Sequence, residues 1–151
     1  MASPEECSRE MLDAIPLIMR TIRSEVRRQR KPDLSVPQFR TLALLSHCPQ
    51  ASLSQVAEHV GLTLPSMSKM VDGLVARGLV AREDCPQDRR RLDLTITPAG
   101  KAVFMAARKA AQARLAEMLK ALSASDRALV VNAMRALRGV FAAAPNGMPE
   151  Q

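Results

Sequence analysis

The sequence predicts a mainly α-helical protein with a small β-hairpin wing, and three observations support this fold class. Two segments with helical spacing of apolar residues meet across a tight turn at Gly61. A segment of alternating apolar and polar residues follows, behind an arginine-rich turn. Long amphipathic segments lie on both sides of this unit. The order predicts a winged helix-turn-helix with N- and C-terminal dimerisation helices.

The N-terminal segment, residues 5–31, predicts an amphipathic helix. Its apolar face carries Met11, Ile15, Ile18, Ile22 and Val26 at helical spacing. Pro16 lies inside this stripe and predicts a kink, or a helix that begins only near it. Basic residues crowd the opposite face, as is typical of a solvated helix surface, and a direct contact with DNA is the alternative. The sequence Lys31-Pro32-Asp33 is expected to end the helix.

Capping signals define the next two helices. Ser35 can cap a helix that ends before Pro49. Ser52 followed by Gln55 matches a capping box, in which the hydroxyl and the amide side chain each satisfy a free backbone N–H group. Gly61 can adopt the left-handed conformation that ends this helix. The first of these helices is expected to support the winged motif from behind.

The following helix is the candidate recognition helix. Its inward stripe is predicted to contain Leu64, Met67, Val71, Leu74 and Val75. The opposite face is small and polar and carries a lysine, which suits the major groove of DNA. The candidate DNA-reading residues are the N-cap Thr63, together with Pro65, Ser66, Ser68 and Lys69. Taken by itself, this pattern favours an ordinary solvated face, and the hairpin that follows changes the interpretation.

The segment from Leu79 to Asp84 is predicted to pair with that from Arg91 to Thr97, where apolar and polar residues alternate. The connection between them contains Pro86 and the start of three consecutive arginines. Arginines on a projecting hairpin suit the narrow minor groove or phosphates, and the alternative is a solubilising turn. The predicted DNA-binding residues of the wing are Asp88, Arg89, Arg90 and Arg91, and the Asp88 carboxylate can orient one guanidinium.

The stretch of residues 62–100 resembles the MarR family of winged-helix transcription regulators. It contains the recognition helix, a Gly-Leu-Val entry to the wing at residues 78–80, an Asp-x-Arg motif at Asp88 and Arg90, and a Leu-Thr-containing exit at residues 94–100. The resemblance implies that Asp88 orients Arg90 for the minor groove of DNA.

The segment after the wing predicts two further helices. Thr97-Pro98 is an N-cap and first-turn pair that opens a long helix to about Leu122. Ser123 with Asp126 resembles a second capping box, and the final helix is expected to end near Ala143.

The domain organisation is predicted as a single MarR-like protomer over residues 1–151, with a DNA-binding lobe at 35–100 and dimerisation helices at 5–31 and 98–143. One apolar stripe of the penultimate helix contains Phe104, Ala107, Ala111, Leu115, Met118 and Leu122, and one of the last helix contains Val130, Met134, Leu137 and Phe141. A small winged core cannot bury all these helices. The sequence therefore predicts a homodimer that places two recognition helices on a pseudo-palindromic operator, and the alternative is an intramolecular bundle.

The composition favours a polyanionic partner such as double-stranded DNA. The formal net charge is +7 and the predicted pI is about 10.2. Ser35, Arg40, Arg77 and Arg82 are candidate contacts to the DNA backbone. The sequence has neither a long apolar run nor a signal-peptide pattern, so a soluble cytoplasmic protein without a membrane partner is expected.

Catalytic, metal and cofactor sites are not expected. His47 and His59 have no ordered carboxylate partner in the sequence, and neither a phosphate loop nor a nucleophile elbow occurs. His47 and Cys48 with the distant Cys85 do not have zinc-site spacing. The organic-hydroperoxide sensors of the resembled family use a reactive cysteine in the N-terminal helix, with tyrosines around it. This chain has no tyrosine, so an inert Cys7 is expected and a redox sensor is the alternative.

The resemblance implies a sequence-specific regulator of transcription that binds double-stranded DNA, a repressor relieved by a small-molecule effector or an oxidant. The family's ligand zone lies between the dimer helices and the DNA-binding lobe, where this chain offers aliphatic residues and Met11, Met19 and Met105. A packed core is the alternative for these methionines. The alternatives for the whole chain are an architectural DNA-binding protein without an effector, and a winged-helix protein-interaction module.

Overall fold

The computed structural model describes residues 1–28 and 34–142. Within them the helices are α1 (Pro4–Arg28), α2 (Val36–His47), α3 (Leu53–Val60), α4 (Leu64–Ala76), α5 (Pro98–Leu119) and α6 (Ala124–Ala142), and the strands are β1 (Ala51–Ser52), β2 (Val80–Cys85) and β3 (Asp88–Ile96). The expected helix stop at residues 31–33 and the expected end of the last helix at Ala143 lie outside the described residues. The mainly helical fold with a small hairpin wing is confirmed.

The N-terminal helix α1 runs continuously through Pro16, so the expectation that it begins only near this proline is wrong. α1 packs against α5 and α2. Val26 is buried, whereas Ile15 and Ile18 on the same predicted face remain exposed. The C-terminal part of the stripe therefore packs within the protomer, and its middle part does not.

The predicted caps of the short helices are confirmed. Ser35 caps α2 in a capping box with Gln38, and Ser52 caps α3 in a capping box with Gln55. Gly61 ends α3 with φ 80°, a conformation that costs glycine little because it has no Cβ. Two residues later Thr63 caps α4, so the helix-turn-helix is defined by local hydrogen bonds.

The core of the winged unit is aliphatic and centres on α2, α3 and α4. Met67, Val71 and Leu74 of α4 are fully buried, as the apolar stripe predicts. Leu64 is 51% exposed, so its assignment to the inward stripe is wrong. It occupies the first helical position, where the chain has only just entered the helix and faces the wing.

The sheet is antiparallel with the strand order β1-β3-β2. The two-residue strand β1 was not predicted, and it pairs Ala51 with Leu94. The hairpin is regular from Val80, opposite Ile96, to Asp84, opposite Leu92. Beyond this point the register shifts.

At the tip of the hairpin, Cys85 lies opposite Asp88, so residues 89–91 have no partner in β2. We call residues 89–91 the β3 bulge. The prediction that the connection runs from Cys85 to Arg90 is therefore wrong, since β3 already begins at Asp88. The arginines lie on one strand just behind a tight turn, rather than in a loose loop.

The base of the wing is fixed to α5. Thr97 caps α5 by accepting a hydrogen bond from the Gly100 amide (3.0 Å), and its hydroxyl donates to the carbonyl oxygen of Gly78 (2.6 Å). α5 ends at Leu119, slightly before the predicted end. Ser123 then accepts from the Asp126 amide (3.1 Å) at the start of α6, as predicted. No residue of α6 is buried.

Candidate nucleic-acid interface

A surface groove of about 550 Å³ lies between the start of α4 and the wing. It is lined by Ser52, Leu53 and Ser54 of the β1–α3 segment, Leu64, Pro65 and Ser68 of α4, and Asp88, Arg90, Arg91 and Leu92 of β3. We call it the reading groove. The structure thus brings together residues from the two segments that the sequence assigned to DNA.

The N-terminal turn of α4 presents the predicted reading residues in different ways. Pro65, Ser66 and Lys69 are exposed, and Ser68 is half-buried in the wall of the reading groove. Thr63 accepts a hydrogen bond from the Ser66 amide (3.3 Å) and donates one to the Ser66 hydroxyl (3.0 Å). The Thr63 side chain therefore has a capping role, which leaves Pro65, Ser68 and Lys69 as the residues without such a local task.

Asp88 contacts Arg90 through the backbone. Its Oδ1 atom accepts a hydrogen bond from the Arg90 amide at 2.9 Å. The expectation that the carboxylate holds a guanidinium directly is not met for Arg90, whose side chain is exposed and makes no ion pair or hydrogen bond with any described residue. Asp88 therefore shapes the turn from which Arg90 projects.

Arg91 has two partners. Its Nε atom donates to Oδ1 of Asp93 at 2.6 Å, and its Nη2 atom donates to the carbonyl oxygen of Gln50 at 3.4 Å. The hydrogen bond with Asp93, together with the charge of that carboxylate, raises the pKa of Arg91. The sequence does not single out Asp93 or Gln50 as partners of Arg91. Asp93 lies on the same strand face as Arg91, and Gln50 lies on another part of the chain.

Arg40 and Arg82, which are candidate contacts to the DNA backbone, bind groups within the protein. Arg40 donates to the carbonyl oxygens of Val60 (3.1 Å) and His59 (3.0 Å), so it caps the C-terminus of α3. Arg82 of β2 forms an ion pair with Asp72 of α4. Both contacts tie elements of the lobe together, a role that their spacing in sequence does not reveal.

The other two candidates, Ser35 and Arg77, line a shallow cavity of about 570 Å³ at the start of α2. Arg27 borders the same cavity. The Ser35 hydroxyl is used in the capping box of α2, and Arg77 is exposed just after α4. The arrangement places two guanidinium-bearing residues beside a helix N-terminus, on the α2 and α4 side of the lobe.

His59 lies in the last turn of α3 beside Arg40. Its partial burial lowers its pKa, and the positive charge of Arg40 lowers it further. The neutral ring is therefore favoured in the folded lobe.

A second cavity, of about 520 Å³, lies between α1, α2 and α5. It is lined by Ile22, Phe39, Arg108, Ala111, Gln112, Leu115, Ala116 and Leu119. We call it the inter-helix cavity. Met11, Met19 and Met105, which were expected in this zone, are not among its lining residues, and Met105 is 52% exposed. The walls are mainly apolar, with Arg108 and Gln112 as polar groups.

The three cysteines are free, with Cys7 exposed on α1 and Cys48 and Cys85 half-buried. No group of three or more His, Cys, Asp or Glu side chains within residues 1–28 and 34–142 is arranged to hold a metal ion. None of the helices in these ranges is both long and apolar enough to span a membrane.

Comparison with known proteins identifies the family. The model of the MarR family matches residues 34–92. The HTH-type transcriptional repressor Rv2887 of Mycobacterium tuberculosis is 32% identical over 104 residues, which are 68% of this chain and 75% of that protein. The uncharacterized HTH-type transcriptional regulator YfiV of Bacillus subtilis is 28% identical over 107 residues, 71% of this chain and 67% of that protein.

Solved structures share the fold. RV1404 of M. tuberculosis has a TM-score of 0.74 at 24% identity, covering 99% of this chain and 98% of that one. MarR of Escherichia coli has a TM-score of 0.70 at 21% identity, covering 82% and 93%. FabT of Streptococcus pneumoniae, solved in complex with DNA, has a TM-score of 0.64 at 18% identity, covering 92% and 97%. The chain therefore belongs to the MarR family of HTH-type transcriptional regulators.

Proposed function

We propose that this protein is a transcriptional repressor that binds a pseudo-palindromic operator in double-stranded DNA as a homodimer and is released by a small-molecule effector. One observation carries the proposal: the N-terminal turn of α4 and the wing border the same reading groove. A helix that enters the major groove would thereby bring the wing to the neighbouring minor groove.

The chemistry of the residues at the groove fits a helix in the major groove of DNA and a wing in the minor groove. Ser68 and Lys69 can donate to base edges or phosphates, and exposed Pro65 offers an apolar surface to a thymine methyl group. On the wing, Arg90 projects a guanidinium that has no partner among the described residues, which suits the electronegative minor groove. The repressor named among the relatives and the DNA complex of FabT support the same activity.

The exposed helices support the homodimer. α6 leaves Leu129, Val140 and Phe141 at 65%, 66% and 60% exposure, and the middle of α1 leaves Leu17 at 57%. A helix with such apolar faces needs a covering partner. A second copy of the chain has the same exposed apolar faces, so the two copies can cover each other under two-fold symmetry. The second copy would also place a second reading groove about one DNA turn away, roughly 34–36 Å.

The inter-helix cavity supports the proposal that a small-molecule effector binds this protein. It is concave and mainly apolar, with Arg108 as a charged group that can fix the orientation of a ligand. We therefore favour an apolar ligand with an acidic group. Release by an oxidant through exposed Cys7 is the second route, and no tyrosine is available to support it.

Selection of binding sites from a random duplex library tests the proposal. The full chain should enrich an inverted repeat, and its affinity for that duplex should fall steeply with salt. Ser68→Ala should weaken binding to the selected duplex by about 1–3 kcal/mol more than binding to random duplex. Ser8→Ala, which removes an exposed hydroxyl of α1 that does not line the reading groove, is the control.

Two outcomes would contradict the proposal. Enrichment of no sequence, with tight binding to all duplexes, would favour an architectural DNA-binding protein. Weak, salt-insensitive binding to every duplex would favour a protein-interaction module.

A further inference from the structure

The consecutive arginines of the wing are not equivalent. The guanidinium of Arg91 binds Asp93 at 2.6 Å and the carbonyl oxygen of Gln50 at 3.4 Å, whereas that of Arg90 has no partner among the described residues. Asp93 is the less exposed member of its ion pair, with 16% of its side chain accessible against 41% for Arg91. The carboxylate is therefore partly shielded from solvent, whereas the guanidinium remains exposed.

The contacts of Arg91 show which way its side chain runs. β3 leads from the tip of the hairpin at Asp88 to its base at Ile96. Arg91 and Asp93 are two residues apart on a strand, so they share one face. Both partners of Arg91 lie on the side of the base. The guanidinium is therefore folded back from the tip, which is the part of a wing that approaches DNA.

The same contacts join two parts of the lobe. Gln50 precedes β1 with φ 63°, in the turn that follows α2. Asp93 is held in the ladder between Ser52 of β1 and Glu83 of β2. Arg91 itself belongs to the β3 bulge, which has no partner residues in β2. The guanidinium thus connects the bulge to the intact ladder at Asp93 and to the turn at Gln50.

We infer that Arg91 is a positioning residue, which braces the wing against the turn at Gln50 and fixes the direction in which Arg90 leaves the hairpin. The inference rests on the proposed DNA-binding function. Arg91 then contributes to operator affinity through Asp93 and Gln50, without contacting DNA. This assignment differs from the expectation that all three arginines touch DNA.

Arg91→Lys is the decisive variant, because it keeps the charge and removes the planar fork that reaches both partners. In the DNA-free full chain, backbone amides of β2 and β3 should exchange hydrogen about tenfold faster in Arg91→Lys and in Asp93→Asn than in the wild type. Asp84→Asn removes an exposed carboxylate of β2 that has no partner among the described residues, and it should leave exchange unchanged.

Binding to the selected operator provides the second measurement. Arg91→Lys and Asp93→Asn should both weaken the complex about tenfold, although Asp93→Asn makes the protein more positive. Arg91→Gln should leave the dependence of log affinity on log salt unchanged, whereas Arg90→Gln should reduce its slope by about 1.

Wild-type exchange in both brace variants would overturn the inference, as would a loss of salt slope in Arg91→Gln that equals the loss in Arg90→Gln. Faster exchange in a protein whose wild type prefers no operator would support the brace and reject the repressor. The two proposals therefore fail separately.

Discussion

At the residue scale, the hydrogen bond between Asp88 and the backbone amide of Arg90 raises the question of whether Asp88 acts by shaping the turn or by its charge. A carboxylate that orients a guanidinium acts through its charge, whereas one that accepts from an amide acts through an oxygen atom in the right place. Asparagine retains such an oxygen and alanine does not. The two substitutions therefore distinguish the two roles.

We expect Asp88→Asn to bind the operator at least as tightly as the wild type, because it preserves the acceptor and removes a negative charge near DNA. Asp88→Ala should bind about tenfold more weakly, since the turn loses its hydrogen bond. Binding titrations at one salt concentration measure both. Equal weakening by the two variants would show that the charge, and with it the direct pairing with a guanidinium, is what matters.

The lowered pKa of His59 predicts a loss of stability in acid. Above the ordinary histidine pKa of about 6.5, the ring is neutral in both the folded and the unfolded chain. As the pH falls through this value, the unfolded chain binds the proton first, and the free energy of unfolding decreases until the folded pKa is passed. His59→Gln should therefore lose less stability than the wild type between about pH 7.5 and pH 5.5. Urea titrations at the two pH values would contradict this if both proteins lost the same amount.

Residue types and spacing predict much of the candidate site, but not which residues are engaged inside the protein. Pro65, Ser68 and Arg90 were assigned to the DNA surface from local pattern, and the structure places all three at the reading groove. Arg91 was assigned to DNA as one of three consecutive arginines on the hairpin, and Arg40 as a candidate contact to the DNA backbone, but both bind groups within the protein. The partners of Arg40 lie 19 and 20 residues away, and Gln50 lies 41 residues from Arg91, so only the fold brings these groups together.

At the scale of the elements, local hydrogen bonds are predictable and tertiary pairing is not. The capping boxes at Ser35 and Ser52 involve residues three positions apart, so the sequence displays them directly. The strand β1 has two residues and exists because Leu94 and Asp93 lie beside it. The β3 bulge likewise depends on the pairing of Cys85 with Asp88, which no local propensity specifies.

Gly100 in the first turn of α5 is a point of close approach. A Cβ at this position would fall well inside contact distance of the Leu79 carbonyl group and would press against Ile96. Gly100→Ala should therefore lower the free energy of unfolding by about 1–3 kcal/mol and loosen the base of the wing. Thermal or urea unfolding measures the change.

Gly139 provides the matched control for Gly100. It lies within α6, and a Cβ there would meet nothing within 4 Å. Gly139→Ala should leave stability unchanged or raise it by up to about 1 kcal/mol, because alanine favours the helix. Equal destabilisation by both substitutions would show that the contact with Leu79 is not the cause.

At the scale of the whole molecule, we expect α6 to decide the state of assembly. One of its faces carries Val130, Met134, Leu137 and Phe141, and Asn132 lies on the other side of the helix. We expect a dimer mass for the wild type by light scattering. Met134→Glu should dissociate it, because a charge would be buried in an apolar contact, and Asn132→Glu should not.

A wild-type monomer whose α6 remains helical by circular dichroism would contradict the homodimer. It would show that the exposed apolar face needs no partner in water. Dissociation by Asn132→Glu as readily as by Met134→Glu would place the contact on a different face.

The β3 bulge has a consequence for how the wing can change in evolution. The residues from Val80 to Asp84 pair with residues 92–96, and Cys85 pairs with Asp88 at the end of the hairpin. Residues 89–91 take part in neither set of pairs. An insertion or deletion within the bulge changes the size of the bulge and leaves every pair of the ladder in register, whereas a one-residue change within residues 92–96 would turn the side chains beyond it to the opposite face. Length variation among relatives is therefore expected to concentrate in these three positions, where a wing can be fitted to a different minor groove without rebuilding the sheet beneath it.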